Sequence, residues 1–254
     1  MARGIRLAIY LKWGGHEAVE DRFSRAQRQF EAIGDEHSAA NCLMNRGLLS
    51  IRRGEYGTAE DRLRRARDQF EAIGDEHSAT TCLLNLGSVA MQREHYETAE
   101  ERFSRARSEF AAIGDEDGVA RSEANLGRVA FKQDEFDAAI ERYTAAREKF
   151  RAAEDAHAFA MATDYLGEAV RARGDLRRAC RHFEEALELL LELNVRRDAV
   201  PTHRSLATVY EALALEDPQR VEEGIERLLT VADQTGSTVL AKRLEKTRRE
   251  LDME

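Results

Sequence analysis

The decapeptide FEAIGDEHSA occurs twice in the chain, at residues 30–39 and again at residues 70–79. The likeness extends well beyond this stretch, because writing the 254 residues in rows of 40 aligns similar side chains in columns. Self-similarity at a period of roughly 20 to 50 residues is the signature of a repeat architecture. The sequence therefore argues against one ordinary globular domain and predicts a stack of similar units.

The columns separate small residues from large apolar ones. The small columns hold Gly47, Gly87, Gly127, Gly167 and Ala207, then Ala59, Ala99, Ala139 and Ala179, then Ala66, Ala106, Ala146 and Ala186. The large columns hold Leu63, Phe103, Tyr143 and Phe183, then Phe70, Phe110, Phe150 and Leu190. Small residues let two helices approach closely and large ones fill the space between successive pairs, so no single row can bury its apolar face alone.

Each row predicts two helices, because apolar and small residues recur at three- and four-residue spacing. Glycines near the row ends predict helix C-termini in the left-handed conformation, and the aspartates after them predict N-caps. These positions are Gly34, Gly74 and Gly114, followed by Asp35, Asp75 and Asp115. Breaks inside the rows are predicted at Gly54 and Gly174, and at Arg93-Glu94 and Gln133-Asp134. With a first helix around residues 5–11 and a last one after Ser237, the predicted count is thirteen.

The order of the columns resembles the tetratricopeptide repeat: a glycine, an alanine twelve residues later, a large apolar residue four after that and an alanine three further on. The resemblance covers nearly the whole chain, although the period is 40 residues instead of the usual ~34, as in the long-repeat branch of the family. It implies an all-α fold, a right-handed α-solenoid (superhelix) of stacked antiparallel helix pairs. It also implies a single domain over residues 1–254, with about six repeats and a capping helix at residues 237–252. The repeats are expected at 1–34, 35–74, 75–114, 115–154, 155–194 and 195–236.

The composition narrows the class of protein. A net charge of −9 disfavours a nucleic-acid surface. Although 43% of the residues are apolar, 34% are charged, and no segment has the pattern of a membrane span or a secretory signal. Pairs such as Glu60 with Arg64 and Glu101 with Arg105 have the spacing of helical ion pairs and predict a solvated outer face. The three cysteines, an odd number, fit a reducing compartment, so a cytoplasmic location is predicted.

No residue cluster points to catalysis or to a metal. Cys42 and Cys82 share a column, so they are expected one repeat apart, beyond the reach of a disulfide, and are interpreted as buried thiols. The histidines His37, His77 and His157 also share a column, and cap or surface roles are favoured for them over metal binding. No glycine-rich phosphate loop, HExxH or GxSxG occurs. The sequence predicts no enzyme, no metal site and no cofactor.

The resemblance further implies that the first helix of each repeat lines a concave groove. With the glycine column counted as the eighth position, the family's second, fifth, sixth, ninth, twelfth and thirteenth positions face a ligand. The sixth position holds Asn45, Asn85 and Asn125, followed by Tyr165. A carboxamide offers both a donor and an acceptor and can bond a peptide unit without reading its side chain. The alternative is that these asparagines satisfy groups of neighbouring helices.

Adjacent positions are expected to select the ligand. The apolar ones are Met44, Leu48, Leu84, Met91 and Phe131, together with Ile51. The basic ones, Arg121, Arg128 and Lys132, lie on one helix and are followed by Asp164 and Glu168. A ligand with apolar side chains and an acidic group near its middle would match. The alternative, which is open for Ile51, Met91 and Phe131, is packing against the adjacent helix pair.

Two functions from different classes follow. The first is a cytoplasmic adaptor or scaffold that binds a peptide or helix of a partner protein in the groove. The second is a self-assembling structural module, or the detached repeat part of a larger signalling or regulatory protein. The first row is short and has no evident polar cap, so either upstream sequence is missing or a partner, such as a second copy of the chain, covers that end.

Overall fold

The computed structural model describes residues 16–214 and 216–251, and the described residues form twelve α-helices and no strand. The all-α prediction is confirmed. The predicted helix near residues 5–11, and the interface proposed for the first row, lie outside the described residues. The helices are α1 (His16–Ala32), α2 (Glu36–Arg52), α3 (Tyr56–Ala72), α4 (Glu76–Gln92), α5 (Tyr96–Ala112), α6 (Glu116–Lys132), α7 (Phe136–Ala152), α8 (Ala156–Ala172), α9 (Leu176–Glu192), α10 (Arg196–Ala214), α11 (Pro218–Gln234) and α12 (Thr238–Leu251).

Two 17-residue helices and their three-residue connections make up the 40-residue period. The row-end glycines take positive φ angles, 72° at Gly34 and 73° at Gly74, and the aspartate after each accepts a hydrogen bond from a backbone N–H three residues on, as Asp75 does from Ser78 at 2.9 Å. Inside the rows, Glu94 takes the same left-handed conformation as Gly54, with φ of 60°. The predicted turn chemistry is confirmed at both kinds of break.

The helices gather into two compact units, whose described parts are residues 16–122 and 123–251, so the division falls within α6. In the first unit, α1 to α4 each pack against the next helix in sequence, and α2 also contacts α4. In the second unit, α7 to α10 do the same, α11 packs on α9, α10 and α12, and α8 contacts α10. Because the connections are short, consecutive helices run antiparallel. Below, α2, α4, α6, α8 and α10 are called A helices and α1, α3, α5, α7, α9 and α11 B helices.

The glycine column allows close approach between an A helix and the B helix that follows it. A Cβ atom built on Gly87 would lie 2.6 Å from Cε1 of Phe103, and one built on Gly167 would lie 2.8 Å from the same atom of Phe183. Both phenylalanine side chains are fully buried. The structure thus confirms the expected pairing of small and large columns. All three cysteines are buried free thiols, and burial raises the pKa of Cys82 to about 12.

The charges on the B helices do more than cover a solvated face. Glu60 on α3 pairs with Arg64 as predicted, at 2.8 Å, but it also binds Arg102 on α5 at 2.9 Å. Arg102 in turn donates to the backbone carbonyl of Leu86 on the intervening A helix, at 2.8 Å. The predicted pair of Glu101 with Arg105 does not form, because Arg105 binds Glu109 at 2.7 Å. The bond between Glu60 and Arg102 joins successive repeats.

A buried carboxylate joins the last helices of the second unit. Glu184 on α9 is 1% exposed and accepts hydrogen bonds from the Tyr210 hydroxyl at 2.8 Å and from Arg220 at 2.9 Å. Arg227 adds a further bond at 3.0 Å. Gly224 makes room for this network, since a Cβ atom there would lie 2.4 Å from Oε1 of Glu184. None of the described helices is long and apolar enough to cross a membrane.

Candidate functional site

The A helix α4 is buried over most of its circumference and keeps one narrow, partly exposed face. On α4, ten of the 17 residues are buried, and the partly or fully exposed ones after the first turn recur at three- and four-residue spacing. They are Thr81, Asn85, Ser88 and Gln92. Residues at this spacing lie on one side of a helix. We call this face the A-helix stripe and define it by the second, sixth, ninth and thirteenth repeat positions.

In the first unit, the stripe presents Asn45 on α2 and Asn85 on α4, both partly exposed. Nδ2 of Asn45 donates to the carbonyl oxygen of Asn41 at 2.8 Å, so the helix itself satisfies that amide. The side chain of Asn85 makes no hydrogen bond with any described residue. Its donor and its acceptor are therefore available to a ligand, whereas Asn45 offers mainly its oxygen.

In the second unit, Asn125 is engaged by a neighbour on its own helix. Nη1 of Arg128 donates to Oδ1 of Asn125 at 3.2 Å, and both side chains are partly exposed. Arg121 belongs to the first unit's part of α6, where it pairs with Asp117 at 2.5 Å. Lys132 at the end of α6 is exposed. The basic residues of α6 thus lie at the surface, and two of them already contact polar neighbours.

The apolar residues expected in the groove divide into two groups. Leu84 and Met91 are 8% and 7% exposed, so they belong to the core and offer little surface to a ligand. Met44 is partly exposed and packs against the cluster around Leu43 and Phe70. Leu48 is also partly exposed. Packing inside the protein, the alternative to ligand contact that was left open for Met91, therefore describes Met91, and it also describes Leu84.

Two further predicted residues lie at the edge of the second unit's core. Phe131 is partly exposed and packs on that core, with its ring centroid 5.7 Å from the ring of Phe136. Tyr165 is partly exposed and stacks on the buried ring of Tyr143, with centroids 5.6 Å apart and an angle of 29° between the ring planes. Each aromatic side chain therefore has one side against the protein.

The line of contact between α8 and α10 is acidic. Glu168 accepts hydrogen bonds from Ser205 and, at 2.7 Å, from Arg171. Asp164, one turn earlier on α8, is 8% exposed, and its Oδ1 has no hydrogen-bond partner. Burial raises the pKa of Asp164 to about 6; a hydrogen bond with Thr202 opposes that rise, and the negative charges of Glu168 and Asp198 add to it. The sequence signal was a charged side chain in a column whose earlier members are Met44, Leu84 and Ala124.

The histidine column forms contacts between successive repeats. Nε2 of His37 lies 3.0 Å from Oδ2 of Asp75, and Nδ1 of His77 lies 3.1 Å from Oδ2 of Asp115. Each of these aspartates precedes the next A helix. These are cap and surface roles of the predicted kind. Within the described ranges, no group of three or more His, Cys, Asp or Glu side chains is arranged to hold a metal ion.

Stacked antiparallel helix pairs with small residues at the crossings define the class of α-helical repeat proteins. Residues 75–152 match the tetratricopeptide repeat family, and the rows on both sides carry the same columns. The chain is therefore similar to tetratricopeptide-repeat proteins, with the family match itself confined to residues 75–152. No curated protein sequence matches it significantly.

Solved structures resemble the fold at low sequence identity. BtubC from P. vanneervenii is 20% identical with a TM-score of 0.71, over 88% of this chain and 93% of that one. The apo form of RapI is 13% identical with a TM-score of 0.67, over 98% and 97%. The Rap conjugation gene regulator of plasmid pLS20, in complex with the Phr* peptide, is 13% identical with a TM-score of 0.63, over 92% and 69%. At these identities the likeness concerns the fold alone.

Proposed function

We propose that the chain is a non-catalytic adaptor that binds an extended segment of a partner protein along its A-helix stripes. The observation that carries the proposal is Asn85, whose carboxamide has no hydrogen-bond partner and occupies the same repeat position as Asn45 and Asn125. Asparagine is a poor residue for a helix interior, because its side chain favours caps and turns. A peptide backbone would supply both the donor and the acceptor that Asn85 lacks.

Other stripe residues, and Met44 beside the stripe, would set the ligand's sequence. The partly exposed Met44 and Leu48 favour apolar side chains, and methionine adapts its shape to different partners. Arg128 and Lys132 favour an acidic group, and Arg121 adds positive charge once it leaves Asp117. Leu84, Met91 and Phe131 would support the stripe from below or from its edge, and Tyr165 would offer a ring edge.

Two observations support this proposal from outside the site. The fold of the tetratricopeptide repeat is typical of protein-interaction scaffolds, and a structure of similar fold was solved with a peptide, the pLS20 regulator with Phr*. Three free buried thiols fit a reducing compartment, so the proposal includes a cytoplasmic setting. The expected partner segment is specified by its chemistry alone: an extended backbone that carries apolar side chains and an acidic group.

The test is selection of ligands from a random-sequence peptide library on the immobilised full chain, followed by affinity measurements with Asn85→Ala. Loss of one hydrogen-bonding amide is expected to weaken binding about tenfold. The variant should be at least as stable as the parent, because alanine is the better helix former and the removed amide has no partner. Weaker binding in a protein of undiminished stability is the expected signature.

The control is Gln234→Ala, which removes an exposed carboxamide from the end of a B helix, α11. It should bind every selected peptide like the parent. If the library yields no ligand, or if Asn85→Ala binds as tightly as the parent, the chain does not bind peptides through this stripe.

A further inference from the structure

An open cleft of about 590 Å³ lies between the B helices α3 and α5 of the first unit. Sites for small molecules commonly have volumes of roughly 300 to 1,000 Å³. Two arginines line each wall, and two leucines of α4 lie between the walls: Arg64 and Arg67 on α3, Arg102 and Arg105 on α5, and Leu83 and Leu86 on α4. The cleft therefore has the size of a ligand site and walls rich in guanidinium groups.

One pair of these arginines meets at the carboxylate of Glu109. Nε of Arg105 donates to Oε1 of Glu109 at 2.7 Å, and Nη2 of Arg67, from the opposite wall, lies 3.9 Å from the same oxygen. Nε of Arg67 donates to Glu71 at 2.7 Å. The Nη groups of Arg67 and Arg105 thus make no hydrogen bond with any described residue. Because both residues line an open cleft, a ligand can reach these donors.

The second pair lies one turn earlier on both helices. Arg64 and Arg102 each donate through Nη2 to Oε1 of Glu60, at 2.8 and 2.9 Å. The helices α3 and α5 run parallel, because each is antiparallel to α4. Three residues separate the two pairs on either helix, so the pairs lie about 4.5 Å apart along the helix axes. The cleft thus presents two levels, each with one guanidinium group from each wall.

The second unit has an ion pair where this cleft has two cations. Arg147 on α7 and Glu185 on α9 are 38 residues apart and bond at 2.7 and 2.9 Å. Arg67 and Arg105 occupy the same two repeat positions two repeats earlier. Like charges repel at short distance, so an anion that enters between these two arginines is stabilised by both of them. The sequence difference between the units therefore specifies the charge of the ligand.

A phosphate group suits facing guanidinium groups better than a carboxylate does. A carboxylate is planar, and a single guanidinium fork bonds both of its oxygens. A phosphate group offers three acceptor oxygens in different directions, so it can accept from both walls at once. Two levels about 4.5 Å apart along the axes match two adjacent phosphate groups.

We propose that the cleft between α3 and α5 binds a small molecule that carries a diphosphate group. Arg67 and Arg105 would hold one phosphate, and Arg64 and Arg102 the other, through N–H donors that the protein's own carboxylates leave free. The cleft is larger than a diphosphate group alone, which leaves room for an organic part. Its lining includes no residue of the A-helix stripe, so the inference does not depend on peptide binding.

Two exposed carboxylates oppose an anion in the cleft. Asp68 and Glu101 line it and make no hydrogen bond or ion pair with a described residue. Solvent screens charges at exposed positions, whereas the side chains of Arg67 and Arg102 are 16% and 18% exposed and are screened less. The carboxylates should therefore weaken diphosphate binding without preventing it, and removing one of them should strengthen it.

The test is isothermal titration calorimetry of the full chain with pyrophosphate, inorganic phosphate and succinate, at constant ionic strength and without divalent cations. Pyrophosphate should bind at a single site, about tenfold or more tightly than the other two, because it alone places a phosphate at each level. Arg105→Glu copies the second unit and should weaken pyrophosphate binding about 10- to 100-fold. Asp68→Asn should strengthen it about two- to fivefold.

Arg65→Glu is the matched control for Arg105→Glu. It makes the same change of charge at the same repeat position one repeat earlier, at an exposed residue that does not line the cleft, and should bind pyrophosphate like the parent. Circular dichroism verifies that the variants are folded. Asp68→Asn changes an exposed residue without a partner, so it tests the site even if Arg105→Glu fails to fold.

Four outcomes would overturn the site. They are no binding of pyrophosphate, succinate binding as tight as that of pyrophosphate, equal losses in Arg65→Glu and Arg105→Glu, and no gain in Asp68→Asn. Equal succinate binding would indicate an acidic ligand without phosphate, and equal losses would indicate an effect of net charge. Arg105→Glu should leave peptide binding through the A-helix stripe unchanged, so the two proposals fail separately.

Discussion

At the scale of the residue, Asp164 makes stability depend on pH in an unusual direction. Its pKa is raised to about 6 from an ordinary value near 3.8, mainly by burial. A raised pKa in the folded state means that folding favours the protonated carboxyl. The penalty for the charged form is therefore absent below about pH 4, grows between pH 4 and 6, and is constant above.

Asp164→Asn should remove that penalty, since a carboxamide stays neutral at every pH. We expect the variant to be more stable than the parent by about 1 to 3 kcal/mol at pH 7 and nearly equal to it at pH 4. Urea unfolding at both pH values measures the difference. Asp233 is an exposed aspartate on α11, so an equal gain in stability in Asp233→Asn would point to reduced net charge as the cause. A gain of Asp164→Asn that persists at pH 4 would contradict the role of burial.

The asparagine column illustrates what a sequence can predict about single residues. Repeat register predicted that Asn45, Asn85 and Asn125 occupy equivalent positions, and the structure leaves all three partly exposed. Their partners differ, and only one of the partners is specific to its row. Asn45 donates to the backbone carbonyl of Asn41, a group that every row offers, whereas Asn125 accepts from the guanidinium of Arg128, which the neighbouring rows lack. Only the three-dimensional contacts single out Asn85 as the amide without a partner.

At the scale of the element, Asp75 both caps α4 and joins two repeats. It accepts the Ser78 N–H at 2.9 Å and approaches the ring of His37, which belongs to the preceding A helix. Partial burial alone would raise the pKa of Asp75, but the hydrogen bond from Ser78 and the neighbouring His37 lower it overall. A lowered pKa means that this stabilisation is present above about pH 4 and is lost as the pH falls through the folded-state value.

Two substitutions separate the cap from the link. Asp75→Ala removes both and should cost about 1 to 2 kcal/mol at pH 7, whereas Asp75→Ser keeps a capping oxygen and should cost clearly less. Urea unfolding supplies the free energies, and the deficit of the alanine variant should shrink below pH 4. If the serine variant is as unstable as the alanine variant, the contact with His37 rather than the cap stabilises this junction.

The elements themselves were largely predictable, and the bonds between them were not. Glycine followed by aspartate marks a helix end through local backbone chemistry, so the positions of Gly34, Gly74 and Gly114 predicted the 40-residue spacing of the A helices. The bond from Arg102 to Glu60 spans 42 residues and depends on how two B helices pack side by side. Helical spacing allows Arg105 to pair with Glu101 or with Glu109, each one turn away on the same helix, and the structure pairs it with Glu109.

At the scale of the whole molecule, repeat proteins owe their stability to each repeat and its contacts with its neighbours. The Glu184 network is one such contact, since it links α9 to α10 through Tyr210 and to α11 through Arg220 and Arg227. Damage to it should remain within the second unit if the two units unfold independently. The single domain predicted from the sequence would instead unfold as a whole, so the same variant distinguishes the two descriptions.

Glu184→Gln leaves two guanidinium groups beside a neutral amide, and breaking a buried ion pair in this way should cost about 3 kcal/mol. Native-state hydrogen exchange should then lose protection in α9, α10 and α11 while α2 to α4 of the first unit remain unchanged. Glu185→Gln is the matched control, because its carboxylate is 41% exposed and its pair with Arg147 should be worth less than about 1 kcal/mol. Equal loss of protection in both units would favour one cooperative domain, because a contact between neighbouring repeats destabilises distant helices only when all of them unfold together.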